Sequence, residues 1–296
     1  MGYGDDIMAT AEAREIKKKY PNSIIVFGNG KKVFTSEIFE NNPNIYNKKE
    51  INYKDNVIWI DNYLGHRPTV DLTKKTNEKK IFWNKKFSPQ KGDIFFSGME
   101  IDIAKKVTEK SRKIWKQHFN KTPKALIVVE PGVKSAQYQK TSGTKIIGRS
   151  NLNRDWGFDK WQKVVNKFKN ECIFIQTFKG KSKKLNGVFD VDCNFRIAAA
   201  IMSFSNLFIG NHGGFSHAAA ALNIDAINVF GGWVSPSITG YDNHTNLYID
   251  SSESPCGSKL ECEHCKKCME KITIDDVSNA VEKFIETKIS SISTSP

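Results

Sequence analysis

The sequence predicts an α/β protein in two halves, each a parallel sheet covered by helices on both faces. Three observations carry that expectation. Short runs rich in Ile, Val and Phe alternate with longer helical patterns along the chain, the signature of parallel strands joined by crossover helices. A long amphipathic stretch stops at Asn120-Lys121-Thr122-Pro123, after which Ala125-Leu126-Ile127-Val128-Val129 opens a new apolar run. Proline cannot continue a helix, so the division falls there, giving halves 1–120 and 121–296. Finally, the apolar Phe208-Ile209 runs into a Gly-rich turn and then an alanine-rich helix, a strand–turn–helix arrangement suited to phosphate.

Taken in order, strands are expected over 23–27, 57–60, 125–129, 172–176, 207–209 and 226–230. Helices are expected over 7–20, 101–119, 158–168, 195–204, 215–222 and 274–287. In the third helix Phe158, Trp161, Val164, Val165 and Phe168 recur at helical spacing and form one apolar face. The segment 62–96 is polar, aromatic and without period, and reads as a long connection that shapes an acceptor surface or is an ordinary ordered excursion. The tail 290–296 is Ser-rich and expected to fray.

Composition narrows the function classes. With 39% hydrophobic and 26% charged residues the chain can build a packed core. No apolar run approaches the ~18 residues of a membrane helix, and the acidic opening Met1-Gly2-Tyr3-Gly4-Asp5-Asp6 is not a signal peptide. The net charge is +13, carried overwhelmingly by lysine: arginine stands only at 14, 67, 112, 149, 154 and 196. Readers of base edges draw on arginine, and no nucleic-acid motif is present, so nucleic acid is not expected as a partner. A lysine-rich solvated surface accounts for the charge, as does a basic face toward an anionic substrate or an anionic membrane lipid. Nothing suggests export, so the expected location is the cytoplasm.

Three motifs can carry chemistry. Gly2-Tyr3-Gly4-Asp5-Asp6 leads straight into a helix, where a glycine lets the backbone approach a ligand and the helix N-terminus keeps a carboxylate ionised. Asp5 there is placed to take a proton from a hydroxyl, with simple helix capping by Asp5 or Asp6 the competing reading. Gly210-Asn211-His212-Gly213-Gly214-Phe215-Ser216-His217, followed by alanines, exposes amides at a helix start and suits a pyrophosphate. Its two histidines stand five apart and need not share a face, which disfavours a metal pair. Between these, Arg154-Asp155-Trp156 precedes the Phe158 helix, with Arg154 able to make charge-assisted bonds to a diphosphate and Trp156 to support the loop or a base.

In this order the three motifs resemble glycosyltransferase family nine, the bacterial lipopolysaccharide heptosyltransferases, which have the two-domain GT-B fold of paired Rossmann-like domains. The resemblance implies an acceptor-side N-terminal domain and a nucleotide-sugar-binding C-terminal domain. It implies metal-independent inverting transfer of a heptose or related sugar from a nucleotide-diphosphate donor to a glycan or lipid-linked acceptor, at or near the inner face of the cytoplasmic membrane, with no cofactor. It assigns the general base to Asp5 beside Gly4, and donor contacts to Arg154, Trp156, His212, Gly213, Gly214, Ser216 and His217, with Lys134 a further phosphate contact.

Two departures stand out. The family has Asp-Thr-Gly where this chain has His212-Gly213-Gly214, so the donor need not be the usual one. Met1 almost abuts the Gly–Asp turn, so the innermost strand of the N-terminal sheet is expected to be missing. A nucleotide-sugar epimerase of the same fold, or a non-catalytic nucleotide- or glycan-binding relic, are the rival readings. Lastly, Cys256, Cys262, Cys265 and Cys268 surround His264 at spacings that suit zinc only in part, with free thiols or a redox-dependent disulfide as the alternative.

Overall fold

The computed structural model describes residues 2–51, 56–61, 67–74, 80–132, 149–178 and 183–293. The chain opens with helix α1 (Tyr3–Lys19), followed by β1 (Ile24–Phe27), β2 (Val57–Ile60) and α2 (Gly98–Phe119). Then come β3 (Leu126–Glu130), α3 (Phe158–Phe168), β4 (Ile173–Phe178), β5 (Phe189–Asp192), α4 (Phe195–Met202) and β6 (Leu207–Asn211). The last elements are α5 (Gly214–Ala221), β7 (Asp225–Gly231), α6 (Pro236–Thr239), β8 (Thr245–Tyr248), α7 (Glu263–Lys271) and α8 (Ile274–Ser293).

Local chemistry sets the helix ends. Asp5 and Asp6 stand in the first turn of α1 and Lys17, Lys18 and Lys19 in its last, matching the helix dipole at both ends. A capping box starts α2: Ser97 Oγ accepts from the Glu100 amide at 3.3 Å, and Glu100 Oε2 accepts from the Ser97 amide at 2.7 Å. That box explains why α2 begins three residues before its apolar period. Asn120, left-handed at φ 50°, ends the helix just ahead of the expected division.

Among the described residues β1 and β2 pair in parallel as the whole N-terminal sheet. The second sheet has six parallel strands in the order β5-β4-β3-β6-β7-β8. Its outermost members were not expected. Edge strands need only one buried face, so Phe-Asp-Val-Asp and Thr-Asn-Leu-Tyr carry little apolar signal.

Alternate residues of the sheet feed two cores. Ile127, Val129, Phe174, Ile209 and Val229 pack beneath α3 and α8. Leu126, Val128, Ile173, Ile175 and Phe208 pack on the other face against α4 and α5. That second core continues without a break into Ile7 and Ala9 of α1, Ile25 and Phe27 of β1, and Ala104 and Trp115 of α2. The N-terminal elements therefore complete one face of the large sheet: α1 lies on α5, and α2 on α4. A buried ion pair fastens the second contact. Arg196 of α4, 2% exposed, meets both carboxylate oxygens of Glu100 at 2.6 and 2.8 Å and also donates to the Glu37 and Phe95 carbonyls. Among the described residues no helix is long and apolar enough to cross a membrane.

Candidate functional site

The order of the six-stranded sheet reverses between β3 and β6: the chain builds outward from β3 through β4 to β5, then returns to β6 and builds the other way. Ligands of open parallel sheets lie at the carboxyl ends of the strands at such a reversal. Here those ends are Glu130 and Gly210, which pair directly. Asn211 stitches the place together, donating to the Pro131 carbonyl at 3.2 Å and accepting from the Trp156 amide at 3.1 Å. The loops after β3 and before α3 thus converge on the Gly-rich turn after β6.

The turn itself is shaped from within. The Gly213 amide donates to Ser216 Oγ at 3.2 Å, so the Ser216 hydroxyl, only 1% exposed, belongs to the turn. His212 and His217 lie beneath it, 6% and 4% exposed, with ring centroids 5.6 Å apart. The His217 Nδ1 lies 2.8 Å from the Tyr241 hydroxyl, and His212 stacks on Phe230 at 4.1 Å. Burial depresses both imidazoles, with the nearby Arg154 guanidinium adding to it; His217 falls to about 4 and His212 well below its usual value. Both rings are neutral at physiological pH and bring no positive charge to the turn. Gly213 and Gly214 remain partly exposed, at the start of α5.

The first motif comes to this same turn. A Cβ on Gly4 would lie 2.6 Å from His217 Cδ2. A side chain at residue 4 would clash with His217, so α1 seats on α5 only with glycine there. Tyr3 stacks on Phe195 with centroids 4.4 Å apart, anchoring the same end of α1. The N-termini of α1 and α5 consequently converge, and the positive ends of two helix dipoles share one locale.

Asp5 stands at that meeting. Its side chain is 12% exposed; Oδ2 accepts from the Gly2 amide at 3.4 Å and pairs with Arg67 Nε at 3.3 Å. Among the described residues both contacts fall on Oδ2. Asp6 points inward instead, accepting from Ser36 Oγ at 2.6 Å, and burial raises its pKa. Arg154 completes the group, its guanidinium 4.8 Å from the Trp233 ring centroid. Burial and the nearby Arg67 draw Arg154 down to about 10, opposed by Asp5, so it stays cationic at neutral pH.

One predicted residue falls elsewhere. Trp156 is 2% exposed within the core under α3 and α8, its indole donating to the Ile272 carbonyl at 2.8 Å, so its ring supports the loop. Lys134 lies outside the described residues. The cysteines gather near the carboxyl end of β7 and are taken up below.

Sequence reasoning missed Arg67 and Glu130. Arg67 sits in the segment without period, where its only signal is being an arginine in a lysine-dominated chain. Glu130 ends β3 at the reversal, accepting from the Gly132 amide at 3.0 Å, and burial raises it to about 7. Its raised value means that the folded state holds this proton more tightly than the unfolded chain. Stability contributed by the protonated form is full below about 4.5 and is lost as pH rises through about 7. Glu130→Gln should remove that loss, making the variant more stable than the parent above pH 7 by on the order of 2–3 kcal/mol. Urea unfolding at a series of pH values checks this; parallel curves for both proteins would show an ordinary carboxylate.

No protein-family model matches the chain, and no curated protein matches it in sequence. Among solved structures it is similar to the glycosyl transferase family 9 protein from Veillonella parvula DSM 2008, with a TM-score of 0.57 at 14% identity over 97% of this chain and 95% of that one. It is similar over shorter spans to E. coli ADP-heptose lps heptosyltransferase II (TM-score 0.41, 12% identity, 67% of this chain and 54% of that one). A third is E. coli heptosyltransferase WaaC with ADP (TM-score 0.35, 11% identity, 57% and 47%). The end-to-end match carries the assignment: this chain has the fold of a family 9 glycosyl transferase, the α/β fold its sequence predicts.

Proposed function

We propose that the chain is an inverting glycosyltransferase, moving a sugar from a nucleotide-diphosphate donor to a hydroxyl of a glycan or lipid-linked glycan. The observation that carries the reading is the convergence of two helix N-termini, Asp5, Arg67 and Arg154 at the reversal point of the sheet. Two dipole ends and two guanidiniums favour a diphosphate, and the carboxylate among them supplies a proton acceptor. In the reaction the acceptor oxygen attacks the anomeric carbon, its proton passes to the Asp5 carboxylate, and the bond from that carbon to the diphosphate oxygen breaks. The electron pair leaves with the diphosphate, whose charge Arg154 and the Gly214 amide stabilise. No step calls for a metal or cofactor.

A groove of about 530 Å³ suits the acceptor. It runs along α1 from Met8 through Glu12 to Lys19 and is closed by Pro68 and Phe87 of the segment without period. Asp5 precedes Met8 by one helical turn, so the groove leads toward the carboxylate. The basic surface would favour an anionic acceptor or membrane face, placing the enzyme at the inner side of the cytoplasmic membrane.

Calorimetry on the whole chain tests the donor site. Arg154→Ala should weaken nucleoside diphosphate binding by about 1.5–3 kcal/mol, roughly 10- to 150-fold, and leave nucleoside binding nearly unchanged. Equal losses for both ligands would make Arg154 a structural residue.

A further inference from the structure

The thiolate ligands and imidazole that the sequence scatters between residues 256 and 268 come together in space. The ligand atoms of Cys256, Cys262, His264 and Cys265 all lie within 4.8 Å of one another. Cys256 and Cys265 are buried, with their sulfurs 2.9 Å apart, and Cys262 caps the start of α7. The histidine is oriented by its surroundings: Nε2 lies 3.1 Å from Ser251 Oγ, 3.3 Å from Ser254 Oγ and 3.3 Å from Cys268 Sγ. Nδ1 is buried and without a hydrogen-bond partner. A buried imidazole nitrogen with no partner is costly unless something binds it.

From this geometry we infer that Cys256, Cys262, Cys265 and His264 hold one tetrahedral transition-metal ion of the zinc class. Three sulfurs and one nitrogen form a closed set with no open position, the pattern of structural sites. Bonds of about 2.3 Å to sulfur and 2.0 Å to nitrogen place tetrahedral ligands roughly 3.5–3.8 Å apart, so the group closes by about an ångström at most and the Cys256–Cys265 pair opens slightly. Ser251 and Ser254 at Nε2 serve as the outer shell that orients a ligating histidine. The ion displaces thiol protons on binding, and no redox step is involved.

On the function proposed above, the site braces the donor-binding residue Arg154. The loop it closes is sewn to Asn153, next to Arg154: Asn153 Nδ2 donates to the Ser258 and Leu260 carbonyls, and its Oδ1 accepts from the Cys262 amide at 2.9 Å. Trp233, the platform beneath Arg154, donates to the Ser258 carbonyl at 2.6 Å, and its own carbonyl accepts from the Gly257 amide at 3.1 Å. Holding residues 256–265 thereby positions Arg154 without touching substrate.

Elemental analysis of the whole chain, purified under reducing conditions without a metal-affinity step, tests the inference. About one equivalent of zinc or iron per chain is expected, released stoichiometrically when a mercurial blocks the thiols, with a lowered melting temperature. Demetallated protein should take up about one equivalent of Co²⁺ with the intense visible bands of tetrahedral thiolate coordination. Cys265→Ser should lose both signals. Should that variant not fold, His264→Ala, on a partly exposed position, should fold and bind Co²⁺ with altered bands and weaker affinity. Reduced parent protein that binds neither Zn²⁺ nor Co²⁺ stoichiometrically, or a Cys256–Cys265 disulfide in the protein as purified, would overturn the site.

Discussion

Asp5→Asn should cut transfer by about 10²–10⁴-fold while leaving donor affinity close to that of the parent, the size and pattern of a lost general base. The substitution nearly preserves shape, and the amide oxygen of Asn still accepts from the Gly2 amide as Oδ2 does now. What disappears is the proton acceptor, together with the ion pair to Arg67. Asp6 is the competing neighbour, but it is 3% exposed and bonded to Ser36, so its replacement should act on stability. Steady-state kinetics on both variants, with donor binding measured separately, separates the two carboxylates. Full turnover in Asp5→Asn together with loss in Asp6→Asn would move the assignment by one residue. Full turnover in both would place the base elsewhere, with Glu130 at the sheet reversal the next candidate.

Glu100→Ala should destabilise the protein by about 3–5 kcal/mol, the cost of stranding a buried cation. Arg196 is 2% exposed and draws two of its bonds from that carboxylate. The pair joins α2 to α4 and so ties the N-terminal elements to the large sheet. Replacing both members by apolar residues of similar volume should recover much of the loss, because a buried pair is costly mainly when broken. The surface pair Lys184–Asp190, each half-exposed, offers the contrast: Asp190→Asn should change stability by no more than about 0.5 kcal/mol. Chemical denaturation of the four proteins reads this directly. A Glu100→Ala loss below about 1 kcal/mol would mean that the Glu37 and Phe95 carbonyls, with the Glu40 carboxylate 3.7 Å from Nε, suffice to hold Arg196.

What the sequence disclosed follows from what periodicity and turn chemistry can encode. Helix α3 was readable to the residue because Trp161, Val164, Val165 and Phe168 all bury on one face. The interior strands β3, β6 and β7 were legible because both their faces are covered. Strands β5 and β8 were not, since their half-covered positions need few apolar residues. Helix α7 hid for a different reason: its buried face is built of Cys265, Cys268 and Met269, which carry a weak helical signal. At the site, the motifs named the segments that converge but not the work of each residue. Gly4 also packs closely on His217, and Ser216 also braces its own turn, contacts that no local pattern records. Arg67 and the raised pKa of Glu130 depend on neighbours distant in sequence, which no local pattern records.

The central claim is that a sugar leaves a nucleoside diphosphate held where α1 meets α5. Incubating the whole chain with a panel of nucleotide-diphosphate sugars and a bacterial glycolipid extract, then following donor and products by mass spectrometry, tests it most directly. The account predicts free nucleoside diphosphate appearing together with an acceptor heavier by one sugar residue, and neither product from Asp5→Asn. A donor recovered with its sugar epimerised but still attached, or consumed by no member of the panel in the presence of that acceptor extract, would contradict it.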